Sequence, residues 1–174
     1  SSEIIFKSWI KKKKFKHYPC LVIGNFKLLK KHLKYFNFNL KLKLISKNFI
    51  LKDLYGKEIP VIDVKYNQKK IFQKISKKSN KFIFNCFSKG LDLIKQKKII
   101  GIINGPISKE TLLNKKFNGI TEFISYKTGS YNKEVMLIFS KNFSVSPITT
   151  HIPIKKITSK LSVKKIVNKI KTIN

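Results

Sequence analysis

Arginine and alanine are both absent from the 174 residues, although 39 of them are lysine. Proteins that read bases or grip phosphates usually employ arginine for its planar, bidentate fork, so a cationic chain without it points away from base readout. Acidic residues are scarce, eight in all, which leaves a formal net charge of +31. That charge is not gathered: successive thirds of the chain carry 15, 14 and 10 lysines. Lys, Asn, Ile and Phe can all be written with A- and T-rich codons, and biased composition accounts for the charge better than a specific polyanionic partner. Weak, salt-sensitive adhesion to polyanions is still expected. Only two cysteines occur, Cys20 and Cys86. They sit in apolar runs and form no CxxC pair, which reads as buried free thiols in a reducing, cytoplasmic setting rather than a disulfide frame. No apolar run approaches the roughly 18 residues of a membrane span. The opening SSEIIFKSWIKKKK places apolar residues before basic ones, the reverse of a secretory signal, and starts at Ser rather than Met, as an excised piece would. A G-x-G-x-x-G fingerprint is also missing, so no dinucleotide site of the usual Rossmann kind is encoded. Of three histidines, His17 and His32 have no partner at metal-ligand spacing and read as surface or helix-end residues.

What is present suits a globular domain. Hydrophobic residues make up 42% of the chain, 14 of them Phe, enough for one core or for one domain and part of another. Residues 3–14 read as a helix with Ile4, Ile5, Ser8 and Trp9 on one face. Residues 19–24 read as a short apolar strand ended by Gly. A helix follows over 26–36, with Phe26, Leu29, Leu33 and Phe36 at helical spacing, and then an alternating strand over 40–45. Beyond an irregular stretch, residues 60–64 form a short strand. Asp53, Glu58 and Asp63 there offset neighbouring lysines rather than act as acids or bases. Residues 68–79 are polar and exposed. Residues 81–97 form a helix through Phe84, Phe87, Leu91 and Ile94, feeding an apolar strand at 99–103. Two strands, 135–139 and 143–148, and a last amphipathic helix opened by Ser159 or Ser162, with Leu161, Ile166 and Ile170, complete the pattern. Strands near Leu21, Leu42, Ile62, Ile100, Leu137 and Val145 alternating with helices predict an α/β fold with helices packed on the sheet.

Chemistry concentrates in the second half. After the expected strand at 99–103, Asn104-Gly105-Pro106 turns sharply, Ser108 can cap a short helix whose first turn holds Glu110, and Asn118-Gly119 leads to Thr121-Glu122-Phe123. Further on, SPITTHIPIK places His151 after an apolar strand and before Pro153. Ligands of open α/β sheets sit outside the carboxyl ends of strands, so Asn104 and His151 wall one crevice if the two strands run parallel. Taken alone, a histidine in such a place is more often structural.

The motifs NGPISKE, GITEF and TTHIP, in this order and at these separations, resemble the N-terminal half of the 4-hydroxythreonine-4-phosphate dehydrogenase family. The likeness extends from SSEIIFKSW to LSVKKI. The family pattern begins earlier, with a Gly- and Pro-rich turn, and continues well beyond Asn174. The chain is therefore expected to be a fragment: residues 1–174 as a single partial α/β unit, the N-terminal part of a longer two-domain enzyme. The resemblance implies a three-layer, sandwich-like domain with a mostly parallel or mixed sheet, as in the isocitrate dehydrogenase-like fold. It implies an oxidoreductase that uses NAD and a divalent metal (Zn, Mg or Co) to oxidise 4-phosphooxy-L-threonine on the route to pyridoxal phosphate. It also implies a cytoplasmic homodimer with no membrane and no specific nucleic-acid partner. By the same resemblance, TTHIP matches the segment whose His binds the metal, which assigns that role to His151. The family's two further His ligands lie beyond this chain. GITEF departs from the family's Gly-His-Thr-Glu order: Ile120 stands where the substrate-contacting His would be, while Thr121 is retained. Ile neither donates a hydrogen bond nor carries charge. In NGPISKE, Lys109 could meet an anionic substrate or be an ordinary solvated lysine.

Three readings follow. One is a dehydrogenase fragment, inactive alone. The second is a basic nucleic-acid-binding domain, which requires one focused cationic face. The third is a non-catalytic remnant of the enzyme, with Ile120 as its mark.

Overall fold

The computed structural model describes residues 1–11, 18–68, 70–74, 76–113, 116–131 and 133–174, with the side chain of Lys109 outside the description. His17 and residues 12–14 of the expected first helix therefore lie outside the described residues. Two compact units are present, Ser1–Thr111 and Leu112–Asn174. Each is described by itself.

The first unit is built on a three-stranded parallel sheet of β1 (Val22–Gly24), β2 (Leu42–Leu44) and β3 (Ile59–Asp63), in the order β1-β3-β2. The central β3 pairs Val61 with Val22 on one side and Ile59 with Leu42 on the other. Successive side chains of a strand point to opposite faces, and β3 is buried on both, as parallel strands under two helical layers must be. On one face Ile59 and Val61 meet Phe6 of α1 (Ser2–Ile10) and Leu29 and Leu33 of α2 (Phe26–Tyr35). On the other, Ile62 meets Ile45, Phe49, Leu54 and Leu93, the last from α3 (Asn80–Lys95). The result is helix, sheet, helix: the layered α/β arrangement expected.

Pro60 sits inside this central strand without breaking it. The N–H of Ile59 donates to Lys41 O and that of Ile45 to Val61 O, on the β2 side. The next N–H along β3 would face β1, whose pairing begins only at Val61. A proline there forfeits no ladder bond.

Caps fix the joints. Asn25, buried between β1 and α2, accepts from Leu28 N at 2.9 Å and donates through Nδ2 to Val64 O at 3.0 Å. Asp63 Oδ1 accepts from Phe26 N at 2.7 Å. The aspartate expected to offset lysines instead satisfies an orphan N–H at the start of α2. His32, in the last turn of α2, joins Ser2 Oγ at 2.9 Å and Ile71 O at 3.0 Å and stacks on Phe72.

Several expectations are corrected. The inward face of α1 is the buried Phe6 with the partly covered Ser2, Ile5 and Trp9, one residue out of phase with the expected face. Phe6 is fully buried, while Ile4 is 63% exposed. The inner residues of α3 are Phe87, Gly90 and Leu93. Gly90 belongs there because a Cβ would lie 2.7 Å from Ile102 Cδ1. Residues 99–103 are not a strand: Ile99 and Ile102 turn inward, but Ile100 and Ile103 are almost wholly exposed. Apolarity marks a segment that could pair; a strand also needs a neighbour, and no described strand bonds to this one. Cys20 is exposed rather than buried, and Cys86 is half-buried.

The second unit has smaller elements. Helix α4 (Lys109–Leu113) leads into it, and α5 (Ile120–Lys127) follows Gly119. Gly129, at φ +70, ends α5 with a left-handed turn. Two-residue strands β4 (Ile138–Phe139) and β5 (Ser144–Val145) form an antiparallel hairpin. Then come α6 (Ile157–Lys160) and α7 (Val163–Ile173), which Ser162 caps by accepting from Lys165 N at 3.3 Å. Among the described residues, no helix is long and apolar enough to cross a membrane.

Candidate functional site

Helix α5 starts abruptly. Gly119 is extended, at φ −164°, and its neighbours Ile120, Thr121 and Glu122 form the first turn. Glu122 is well placed there, because a carboxylate opposes the positive pole of the helix dipole. Its side chain folds back over the cap: Oε2 lies 2.9 Å from where a Cβ on residue 119 would be. The backbone at 119 suits any residue; what a side chain there would meet is the end of the Glu122 side chain, which would have to shift.

His151 reaches the same place from a later stretch of the chain. The chain leaves β5, passes Pro147, whose carbonyl accepts from Lys169 Nζ of α7 at 3.4 Å, and turns at His151. The turn is left-handed, φ +56°, a conformation that costs an L-residue roughly 1–2 kcal/mol. It swings the imidazole back, so that Nε2 lies 3.8 Å from Glu122 Oε1. That is an ion-pair separation, longer than a formed hydrogen bond. Glu122 is mostly covered, 19% exposed, while His151 is 44% exposed. The pair is open to solvent on the histidine side.

An imidazole nitrogen beside a carboxylate oxygen is a donor pair that divalent cations accept. Among the described residues, no group of three or more His, Cys, Asp or Glu is gathered closely enough to hold an ion. The imidazole fits such an ion as one member of a donor set, with the carboxylate beside it, and does not complete a set.

Ile120 opens α5 and is half-buried; Thr121 beside it is exposed. Lys109 begins α4, its side chain outside the described residues. Ser108 does cap that helix, Oγ lying 3.4 Å from Thr111 N. Asn104, Gly105 and Pro106 are exposed in the first unit, with Asn104 Nδ2 donating to Gly105 O. The crevice argument loses its basis, since residues 99–103 form no strand and β5 runs antiparallel in a hairpin.

Sequence reasoning passed over Glu122, although it stands inside GITEF. Its signal is Gly119 followed three residues later by Glu, the spacing that lets a first-turn carboxylate reach the cap. It also passed over Ser125, buried, whose Oγ lies 2.6 Å from Ser130 O and 2.7 Å from Glu134 Oε2. This contact closes the loop after α5. Among the described residues, two groups have shifted acidities. Asp53 is held below the ordinary carboxylate value by the N–H of Ile50 and by Lys43. Burial pushes the Cys86 thiol up to about 11, against a smaller pull from Lys89, so its nucleophilic thiolate is scarce at neutral pH.

Comparison with known proteins matches residues 16–174 to the family model described as pyridoxal phosphate biosynthetic protein PdxA. A 4-hydroxythreonine-4-phosphate dehydrogenase of Sulfurihydrogenibium sp. (strain YO3AOP1) is 28% identical over all of this chain and 53% of its own length. One from Bacteroides thetaiotaomicron is 29% identical over 49% of this chain and 24% of its own length. The crystal structure of a 4-hydroxythreonine-4-phosphate dehydrogenase from Burkholderia phymatum matches 98% of this chain and 52% of its own, with a TM-score of 0.84 and 22% identity, a likeness of fold. The chain thus spans about half the length, at most, of these proteins.

Proposed function

The chain belongs to the PdxA family of pyridoxal phosphate biosynthetic proteins, and from that premise we propose that it is the N-terminal part of a two-domain, NAD-dependent dehydrogenase that oxidises 4-phosphooxy-L-threonine. The proposal includes a divalent metal (Zn, Mg or Co), a homodimer and a cytoplasmic location. The observation that carries the chemistry is His151, solvent-accessible and facing Glu122.

In this reading His151 is a metal ligand. A cation bound there would lower the pKa of a coordinated alcohol and so ease loss of hydride to the nicotinamide. This chain's own residues do the rest by position. The left-handed turn at His151 presents the ring, Lys169 steadies the approach through Pro147, and Thr121 offers a hydroxyl at the open start of α5. Ile120 closes part of that start with an apolar side chain that gives a substrate no hydrogen bond. Every described lysine side chain is exposed save Lys165 and Lys169, and they occur on helices and loops of both units. That supports compositional charge over a nucleic-acid surface.

The test is NAD reduction by the full-length protein supplied with 4-phosphooxy-L-threonine and Zn, Mg or Co, for the natural sequence and for Ile120→His. The natural protein is expected to turn over with metal present. A hydrogen bond to a charged group contributes about 1.5–3 kcal/mol, so a remnant that decayed at this position should gain roughly 10- to 100-fold in kcat/KM when histidine is restored. Inactivity of both proteins with every metal would contradict the proposed function.

A further inference from the structure

The pair at the start of α5 assigns work to Glu122. We propose that Glu122 is a positioning residue for His151: its carboxylate, folded over the Gly119 cap, holds the imidazole through Nε2–H and leaves Nδ1 free to face a cation. The proposal rests on the metal-binding reading of His151 and adds to it the residue that orients the ligand.

Three observations point the same way. Glu122 Oε1 is the carboxylate oxygen facing His151 Nε2, at 3.8 Å, a separation that a small rotation of either side chain closes to a hydrogen bond. Glu122 is the more covered partner, and its other oxygen is packed against Gly119, where any Cβ would come within 2.9 Å. It stands on the first turn of a regular helix, while His151 stands on a turn with none of the regular hydrogen bonds of a helix or strand. Thirdly, His151 is held in a left-handed conformation that a β-carbon disfavours, so something must compensate for it. A carboxylate on the far ring nitrogen fixes the tautomer, sets the ring plane and raises the basicity of the nitrogen left for a ligand. The acid is part of α5, so the site inherits its geometry from the helix rather than from the turn.

The test uses the full-length protein in two measurements. In metal-free protein, ¹⁵N-resolved NMR should show the Nε2–H of His151 shifted downfield and protected from solvent exchange. Glu122→Leu should abolish that signal, Glu122→Gln, which keeps an acceptor oxygen, should retain part of it, and Gly119→Ala should weaken it by displacing the carboxylate while leaving its charge. Zinc binding, titrated directly, should weaken about 10- to 100-fold in Glu122→Leu, with the circular dichroism spectrum unchanged. An Nε2–H signal indifferent to Glu122→Leu would overturn the proposal. If the signal responds as expected but His151→Ala binds zinc as tightly as the natural protein, the positioning role stands and the metal reading of His151 falls.

Discussion

The two units divide the labour of the chain unequally. In Ser1–Thr111, a central strand buried on both faces gathers two apolar clusters, and polar joints such as Asn25 and Asp63 are bonded inside the structure. In Leu112–Asn174 the buried apolar residues are Leu112, Leu113 and Phe123, and the apolar stripe of α7 is open: Val163 is 78% and Ile170 55% exposed. Yet His151, Glu122, Thr121 and Ile120, the residues to which the proposed chemistry attaches, are all in the second unit. A rigid scaffold and a reactive surface need not share one core. Binding residues sit on loops and helix starts because backbone groups there are open to solvent and ligand.

Substitutions in the two units should have unequal effects. Phe6→Ala removes a wholly buried ring from the first cluster and should cost about 3–5 kcal/mol, whereas Ile170→Ala on the open stripe should cost well under 1 kcal/mol. Denaturant unfolding of both variants checks this. A large loss at Ile170 would mean that α7 is covered in solution. The two side-chain caps give a finer version. Asn25→Ala leaves Val64 O and Leu28 N without their partner in a buried place and should cost about 1–3 kcal/mol. Ser162→Ala exposes its orphan N–H to water and should cost about 1 kcal/mol or less. Equal losses in the same unfolding measurement would erase the distinction between the units.

How far the sequence led also differs between them. In the first unit, hydrophobic period and turn residues located α2, α3 and all three sheet strands, because those signals are local and the core confirms them. The errors there were of phase and of pairing. The face of α1 slipped by one residue, since Ile4 and Phe6 are equally apolar and only packing chooses between them. The run at 99–103 was apolar enough for a strand but has no paired neighbour, a fact that lies outside its own residues. In the second unit, Gly119 and Ser162 were legible as punctuation, and the TTHIP motif singled out His151. The Glu122 contact was not legible. It joins residues 122 and 151 across an irregular turn at positive φ, and no periodicity encodes such a turn.

Whether His151 anchors the chemistry proposed for this chain is decided by His151→Ala in the full-length protein, with metal content, NAD reduction and circular dichroism measured on one purified sample. A half-exposed side chain on a turn contributes little to packing, so the variant should keep its fold while losing metal and turnover together. Full metal occupancy with normal turnover would contradict the account and leave His151 a structural residue.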